Sequence, residues 1–269
     1  MKKLKYIDVA SLMMLVWFLF YVIAAFFAIK WAAFLAIIGC TAPMLLFKRS
    51  VRGETFGTRD CNTLRYKGKD YLNVFLFCIS GSAVISAITY LVTAVGQIEP
   101  DTAARTDFPY MLVFGCLIPA FFEEWFVRGG ILGALSSYKA AGVWISSIFF
   151  MLMHADPTKY IYAFFAGFCI GMLVYLTECV YLGMLLHFVN NFASLLLSYL
   201  PRGIFEYITL AIILVVFAVS FVLLSKSKIF EDAKEVFEEG KKQNSKDVLS
   251  PYFYIFVVLS FFAMSFRFI

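Results

Sequence analysis

The sequence contains no Cys-x-x-Cys pair, no His-Glu-x-x-His signature, no Asn-x-Ser/Thr sequon and only two histidines, His154 and His187. Charged residues make up 15% of it, against about 25% in an ordinary globular protein. The six cysteines (Cys40, Cys61, Cys78, Cys116, Cys169, Cys179) have irregular spacing, and most sit in apolar runs. That pattern excludes a zinc ribbon and argues against a disulfide framework; the cysteines read as small hydrophobic residues. Lys and Arg form no stripe and do not alternate with aromatics, so no nucleic-acid partner is expected. The net charge of +5 suits anionic lipid headgroups instead.

What the chain has in abundance is apolar surface. Of its 269 residues 62% are hydrophobic and 19% aromatic, and the mean hydropathy is +0.84. A membrane span needs about 20 mostly apolar residues. Nine candidates emerge, at roughly 9–29, 31–47, 71–95, 108–136, 140–154, 160–176, 180–200, 205–224 and 251–268. The short or tightly connected ones leave eight as the lower count. The expectation is an all-α polytopic membrane protein, a bundle of about eight to nine transmembrane helices forming a single integral membrane domain over 1–269. The basic start resembles a signal peptide, but its apolar run exceeds the usual length of about 7–15 residues and reads as a retained first span. The missing sequons fit a bacterial plasma membrane.

Positive residues favour the cytoplasmic side. Lys2, Lys3 and Lys5, seven basic residues in 48–70 and six lysines in 225–250 all fall on one side of a nine-span chain. The opposite loops hold only Lys30, Arg105, Lys159 and Arg202. A cytoplasmic N-terminus follows, with the loop after His154 on the outer side. Within the cytoplasmic segment 225–250, Ile229, Phe230, Ala233, Val236 and Phe237 share one helical face, with Gly240 as a stop. That face suits either an interfacial helix on the membrane or a solvated amphipathic linker.

Ionisable groups inside spans are costly and point to function. They are Glu123, Glu124, Arg128, His154 and His187, with Asn190 and Asn191 beside the last. Glu124 and Arg128 are i, i+4 and close enough to pair, which leaves Glu123 pointing elsewhere. Phe150 and His154 share the same spacing, as do His187 and Asn191. Glu123 lies about 15 residues before the turn near 137–139 and His154 about 16 after it, so both reach nearly one depth. Taken separately, each group has a structural reading as an ion network, a core histidine or a packing amide. Together they supply the parts for acyl hydrolysis, namely an acid–base pair and donors for an oxyanion.

E123-E124-W-F-V-R128, F150-M-L-M-H154 and H187-F-V-N-N191 match the motifs EExxxR, FxxxH and HxxxN, in order and in successive spans. The chain therefore resembles the CPBP (Abi) family of intramembrane endopeptidases, which includes the CAAX prenyl proteases. The resemblance covers a catalytic core of about 108–200. It implies that Glu123 and His154 activate water, that His187 and Asn191 form the oxyanion site, and that Glu124 with Arg128 supports them. It implies a membrane-associated peptide or protein substrate and no obligatory metal. Zinc stays open as a cofactor, with Glu123, His154 and His187 as its ligands. Two other functions compete: a proton-coupled transporter, which the lack of paired halves disfavours, and a non-catalytic immunity or scaffold protein of the same fold.

Overall fold

The computed structural model describes residues 5–26, 32–47, 61, 65–95, 107–199, 204–241 and 251–265. A backbone in hydrocarbon must satisfy its own N–H and C=O groups, so each apolar run becomes a helix. In chain order these are α1 (Tyr6–Phe26), α2 (Ala32–Leu46), α3 (Gly68–Val95), α4 (Phe108–Leu132), α5 (Ala140–Met153), α6 (Tyr160–Thr177), α7 (Val180–Ser198), α8 (Ile204–Ser225), α9 (Lys228–Lys241) and α10 (Pro251–Ser265). No strand occurs among the described residues. The protein is an all-α, multi-pass membrane protein. α1, α3, α4, α6, α7 and α8 are long and apolar enough to cross a bilayer, whereas α2, α5 and α10 are shorter apolar helices. Each of these helices overlaps an apolar run read from the sequence, and six of them have the length and composition of a span.

Two apolar cores form. One joins α1, α2, the second half of α4, α5 and α10, where Phe149 meets Phe256 edge-on at 5.3 Å. The other joins α3, α6 and α7 to the end of α8, around Cys78, Ile170, Leu173 and Leu186. α8 is mostly exposed along its length, as suits a helix facing lipid. The polar motif residues lie on α4, α5 and α7, between and across these cores.

One end of the bundle gathers the 65–67 segment, the α4–α5 turn, the α6–α7 turn and α9. Arg65 donates to the Leu176 carbonyl at 2.9 Å and pairs with Asp232 at 3.4 Å. Tyr66 donates to the same Asp232 at 2.7 Å, and Lys139 pairs with Glu239 at 2.6 Å. The α5–α6 loop, with His154, is at the opposite end. Lys2, Lys3, Lys30, Lys48, Arg49, Arg52, Arg59, Arg105, Arg202, Lys242 and Lys246, on which much of the orientation count rests, lie outside the described residues.

Two expectations change. The apolar face of α9 lies against the protein itself: Ile229 is 4% exposed, and Phe230, Ala233, Val236 and Phe237 are partly buried against the second core. The Phe237 ring stands 6.0 Å from that of Phe168 on α6. An amphipathic stripe looks the same whichever apolar surface covers it, and here the protein's own helices do. The cysteines also differ from the reading as small hydrophobic residues. Cys61 and Cys179 form a disulfide across a separation of 118 residues, while Cys40, Cys78, Cys116 and Cys169 are free. Cys179 sits in the tight α6–α7 turn rather than within a span, and this turn meets the segment that holds Cys61 and Arg65.

Candidate active site

α4 is not a regular α-helix. Its turns widen to the i→i+5 pattern over Met111–Leu117, return to α over Ile118–Glu124, and widen again over Trp125–Leu132. Such wide turns are rare and concentrate at functional sites. Pro119 lies between them and carries no N–H, so the Gly115 carbonyl, one α-turn back, receives no bond from it. Asn191 of α7 donates its amide to that carbonyl at 3.2 Å.

Glu124 and Arg128 bridge the start of the second wide stretch. Both side chains are fully buried, and Nη1 of Arg128 is 2.8 Å from Oε1 of Glu124. Nη2 of Arg128 donates to the Gly167 carbonyl of α6 at 2.9 Å. Oε1 of Glu124 also faces Nδ1 of His187 at 2.8 Å. One carboxylate oxygen thus holds an arginine from its own helix and a histidine from α7, while the arginine ties α4 to α6. A buried ion pair offsets its desolvation only with such added hydrogen bonds.

Phe150 links this network to the second histidine. The guanidinium carbon of Arg128 lies 4.3 Å from the centre of its ring, a cation–π distance. The rings of His187 and His154 meet it edge-on at 5.4 and 5.0 Å. Nδ1 of His154 is 2.9 Å from the Phe150 carbonyl. A carbonyl only accepts, so Nδ1 of His154 carries the proton and Nε2 presents a lone pair. The FxxxH spacing therefore places the ring under three cationic or imidazole groups and also sets the tautomer of one of them.

Glu123 behaves differently from its neighbour. It is half-buried, and no described residue donates a hydrogen bond to it. The two adjacent glutamates thus divide, with Glu124 held by two partners and Glu123 uncommitted. Glu124, Arg128, Phe150, His154 and His187 form one contact chain. No hydrogen bond joins Glu123 to His154, and Asn191 is engaged at Gly115. Asn190 is buried, and its Oδ1, like Oε2 of Glu124 and Nε of Arg128, has no hydrogen-bond partner among the described residues.

The sequence reading did not single out Gly167 or Gly183. A Cβ on Gly167 would lie 2.9 Å from the Phe150 ring and 3.3 Å from Nη2 of Arg128. One on Gly183 would lie 2.6 Å from Val174 and 3.4 Å from Oε2 of Glu124. Both permit close approach around the ion network, and the glycine-containing runs AGFCIG and YLG were the available signal. An apolar cleft of about 350 Å³, lined by Leu76, Ala193 and Ile213 among others, lies apart from all these polar groups. Among the described residues no three His, Cys, Asp or Glu side chains gather closely enough to hold an ion. The Glu123, His154 and His187 set does not form a zinc-holding cluster.

Residues 105–193, which contain all three motifs, match the family described as type II CAAX prenyl endopeptidase, Rce1-like. Over 164 residues the chain is 24% identical to YdiL of Bacillus subtilis (strain 168), a protein whose name describes a membrane peptidase. That similarity covers 58% of this chain and 67% of the relative. No solved structure matches the chain. With its three motifs on adjacent helices of a polytopic bundle, the chain is similar over residues 105–193 to the Rce1-like membrane endopeptidases of the CPBP family.

Proposed function

We propose that the protein is an intramembrane endopeptidase that cleaves a peptide bond of a membrane-associated peptide or protein, with water as the nucleophile. The observation that carries this reading is the split between the adjacent glutamates. Glu124 is consumed by Arg128 and His187, while Glu123 is half-buried and accepts no hydrogen bond from any described residue.

In this reading Glu123 accepts a proton from water, and Nε2 of His154 holds and orients the same water. The oxygen attacks the scissile carbonyl carbon, and the carbonyl π-electrons move onto its oxygen. That oxyanion is met by the His187 ring and by the second N–H of Asn191. Collapse of the intermediate breaks the C–N bond, and the proton held by Glu123 passes to the leaving amine. Water is consumed, and the products are one carboxylate and one amine. The family description makes a prenylated C-terminus the first substrate class to try. The host would be a bacterial plasma membrane.

Comparison of new protein N-termini in membranes of cells expressing the wild type or Glu123→Ala tests this. The expected result is a set of cuts that disappear in the variant at equal protein level. A quenched farnesylated CAAX-type peptide beside its unprenylated twin then decides whether the lipid is read. Loss of pH-driven flux with no change in N-termini would point to a transporter instead.

A further inference from the structure

We propose that Tyr162 is a further catalytic residue of this site, its phenol O–H donating to the carbonyl oxygen of the bound peptide and to the oxyanion formed from it. The inference rests on the hydrolase reading above.

It begins with register. α4 and α6 run in the same direction and are tied where Nη2 of Arg128 meets the Gly167 carbonyl at 2.9 Å. Five residues back along α4 is Glu123, and five residues back along α6 is Tyr162. With a rise of about 1.5 Å per residue, both stand about one and a half turns from that bond, at one depth. α5 runs the other way. Its Phe150 lies level with Gly167, and His154 is one turn beyond, towards the same depth. The Tyr162 ring meets that of His154 edge-on at 6.1 Å, and Glu123 lies within electrostatic reach of the phenol.

The local turn fixes this placement. Ala155 adopts a left-handed φ of 48°, and Asp156 caps the next turn by accepting from the Thr158 N–H at 3.0 Å and its hydroxyl at 2.7 Å. The chain then enters α6 with Tyr162 in its first turn, so His154 and Tyr162 flank one short, well-bonded loop.

The donors nearby are largely committed. Nδ1 of His154 serves the Phe150 carbonyl, Nδ1 of His187 serves Glu124, and one amide N–H of Asn191 serves Gly115. Tyr162 is half-buried, and no described residue hydrogen-bonds its phenol. A half-buried phenol normally finds a partner. A peptide carbonyl lying between Glu123 and His154 would supply one. The phenol keeps its proton throughout, so its role is donation, with no covalent step.

The test uses the full chain in lipid vesicles and a quenched peptide spanning the most abundant Glu123-dependent cut found in membranes. Tyr162→Phe is compared with the wild type and Glu123→Gln. The expected result is a kcat about 10²–10³-fold lower, with KM and melting temperature unchanged. An unchanged kcat, or a loss confined to KM, overturns the oxyanion role; with Glu123→Gln inactive, the hydrolase reading still stands. If Glu123→Gln cleaves as well as the wild type, or no Glu123-dependent cut exists, both readings fall together. Should Tyr162→Phe melt early, 3,5-difluorotyrosine at 162 keeps shape and hydroxyl. The alkaline limb of its rate should then move down with the more acidic phenol, and an unmoved limb overturns the proposal.

Discussion

His187 points its Nδ1 at Oε1 of Glu124, 2.8 Å away, although the two are 63 residues apart in the chain. The same oxygen takes Nη1 of Arg128 at 2.8 Å, so one buried carboxylate fixes two side chains from different helices. Glu124→Gln leaves a fully buried arginine without its anion. We expect it to lose about 3–5 kcal/mol of stability and to melt early in detergent. Wild-type melting with lost cleavage would assign Glu124 to the chemistry instead.

Gly167→Ala places a methyl against the Phe150 ring at 2.9 Å and against Arg128 at 3.3 Å. The expected cost is about 1–3 kcal/mol with reduced cleavage, because the ring that carries both histidines must shift. Gly171→Ala is the control, since its methyl meets Val143 at an ordinary 3.4 Å. Thermal unfolding of both variants checks the contrast; equal melting points would contradict it.

The Gly115 carbonyl offers a coupled pair. Asn191→Ala removes its donor, at a cost of about 1–3 kcal/mol for an unpaired polar group. In a Pro119→Ala background the restored N–H can reach the same carbonyl, so the second substitution should cost less there. A double-mutant cycle reads this coupling, and simple additivity would contradict it.

Much of the fold was legible because a membrane span needs length and apolarity, and both are written locally. The described apolar helices fall where the apolar runs predict them. The pairing of Glu124 with Arg128 was legible for the same reason, since i, i+4 spacing is local. What escaped the sequence was set by contacts between distant segments. Nothing near Glu124 announces His187, and nothing near Cys61 announces Cys179. The widened turns of α4 escaped too, since hydropathy carries no record of hydrogen-bond register. α9 was read correctly as amphipathic, but its partner could not be read, because lipid and protein present the same apolar demand.

The disulfide makes a chemical prediction. Alkylation of the purified, denatured protein should block four thiols before reduction and six after it, by mass. Six before reduction would contradict the bond. It lies at the end of the bundle that carries Arg65, Lys67 and Lys69, which the charge rule assigns to the cytoplasm. Disulfides there are generally transient, so trapping thiols in intact cells should yield a reduced fraction.

The α5–α6 loop makes a prediction about pH. Burial pushes the Asp156 carboxyl up, but the Thr158 hydroxyl and Lys159 outweigh it and hold the group below its ordinary value. A depressed carboxyl stabilises the fold above its unfolded pKa of about 3.9. That contribution is lost as pH falls through the lower folded value. Asp156→Ala should therefore cost about 1 kcal/mol at neutral pH, and its difference from the wild type should close in strong acid. A gap that persists there would contradict the assignment.

The most direct measurement is peptide cleavage by the reconstituted protein carrying Glu123→Gln, at matched folding and lipid composition. The account predicts a rate lower by about 10²–10⁴-fold, the worth of a positioned acid–base group. A rate within a few-fold of the wild type would mean that Glu123 does not act on the water.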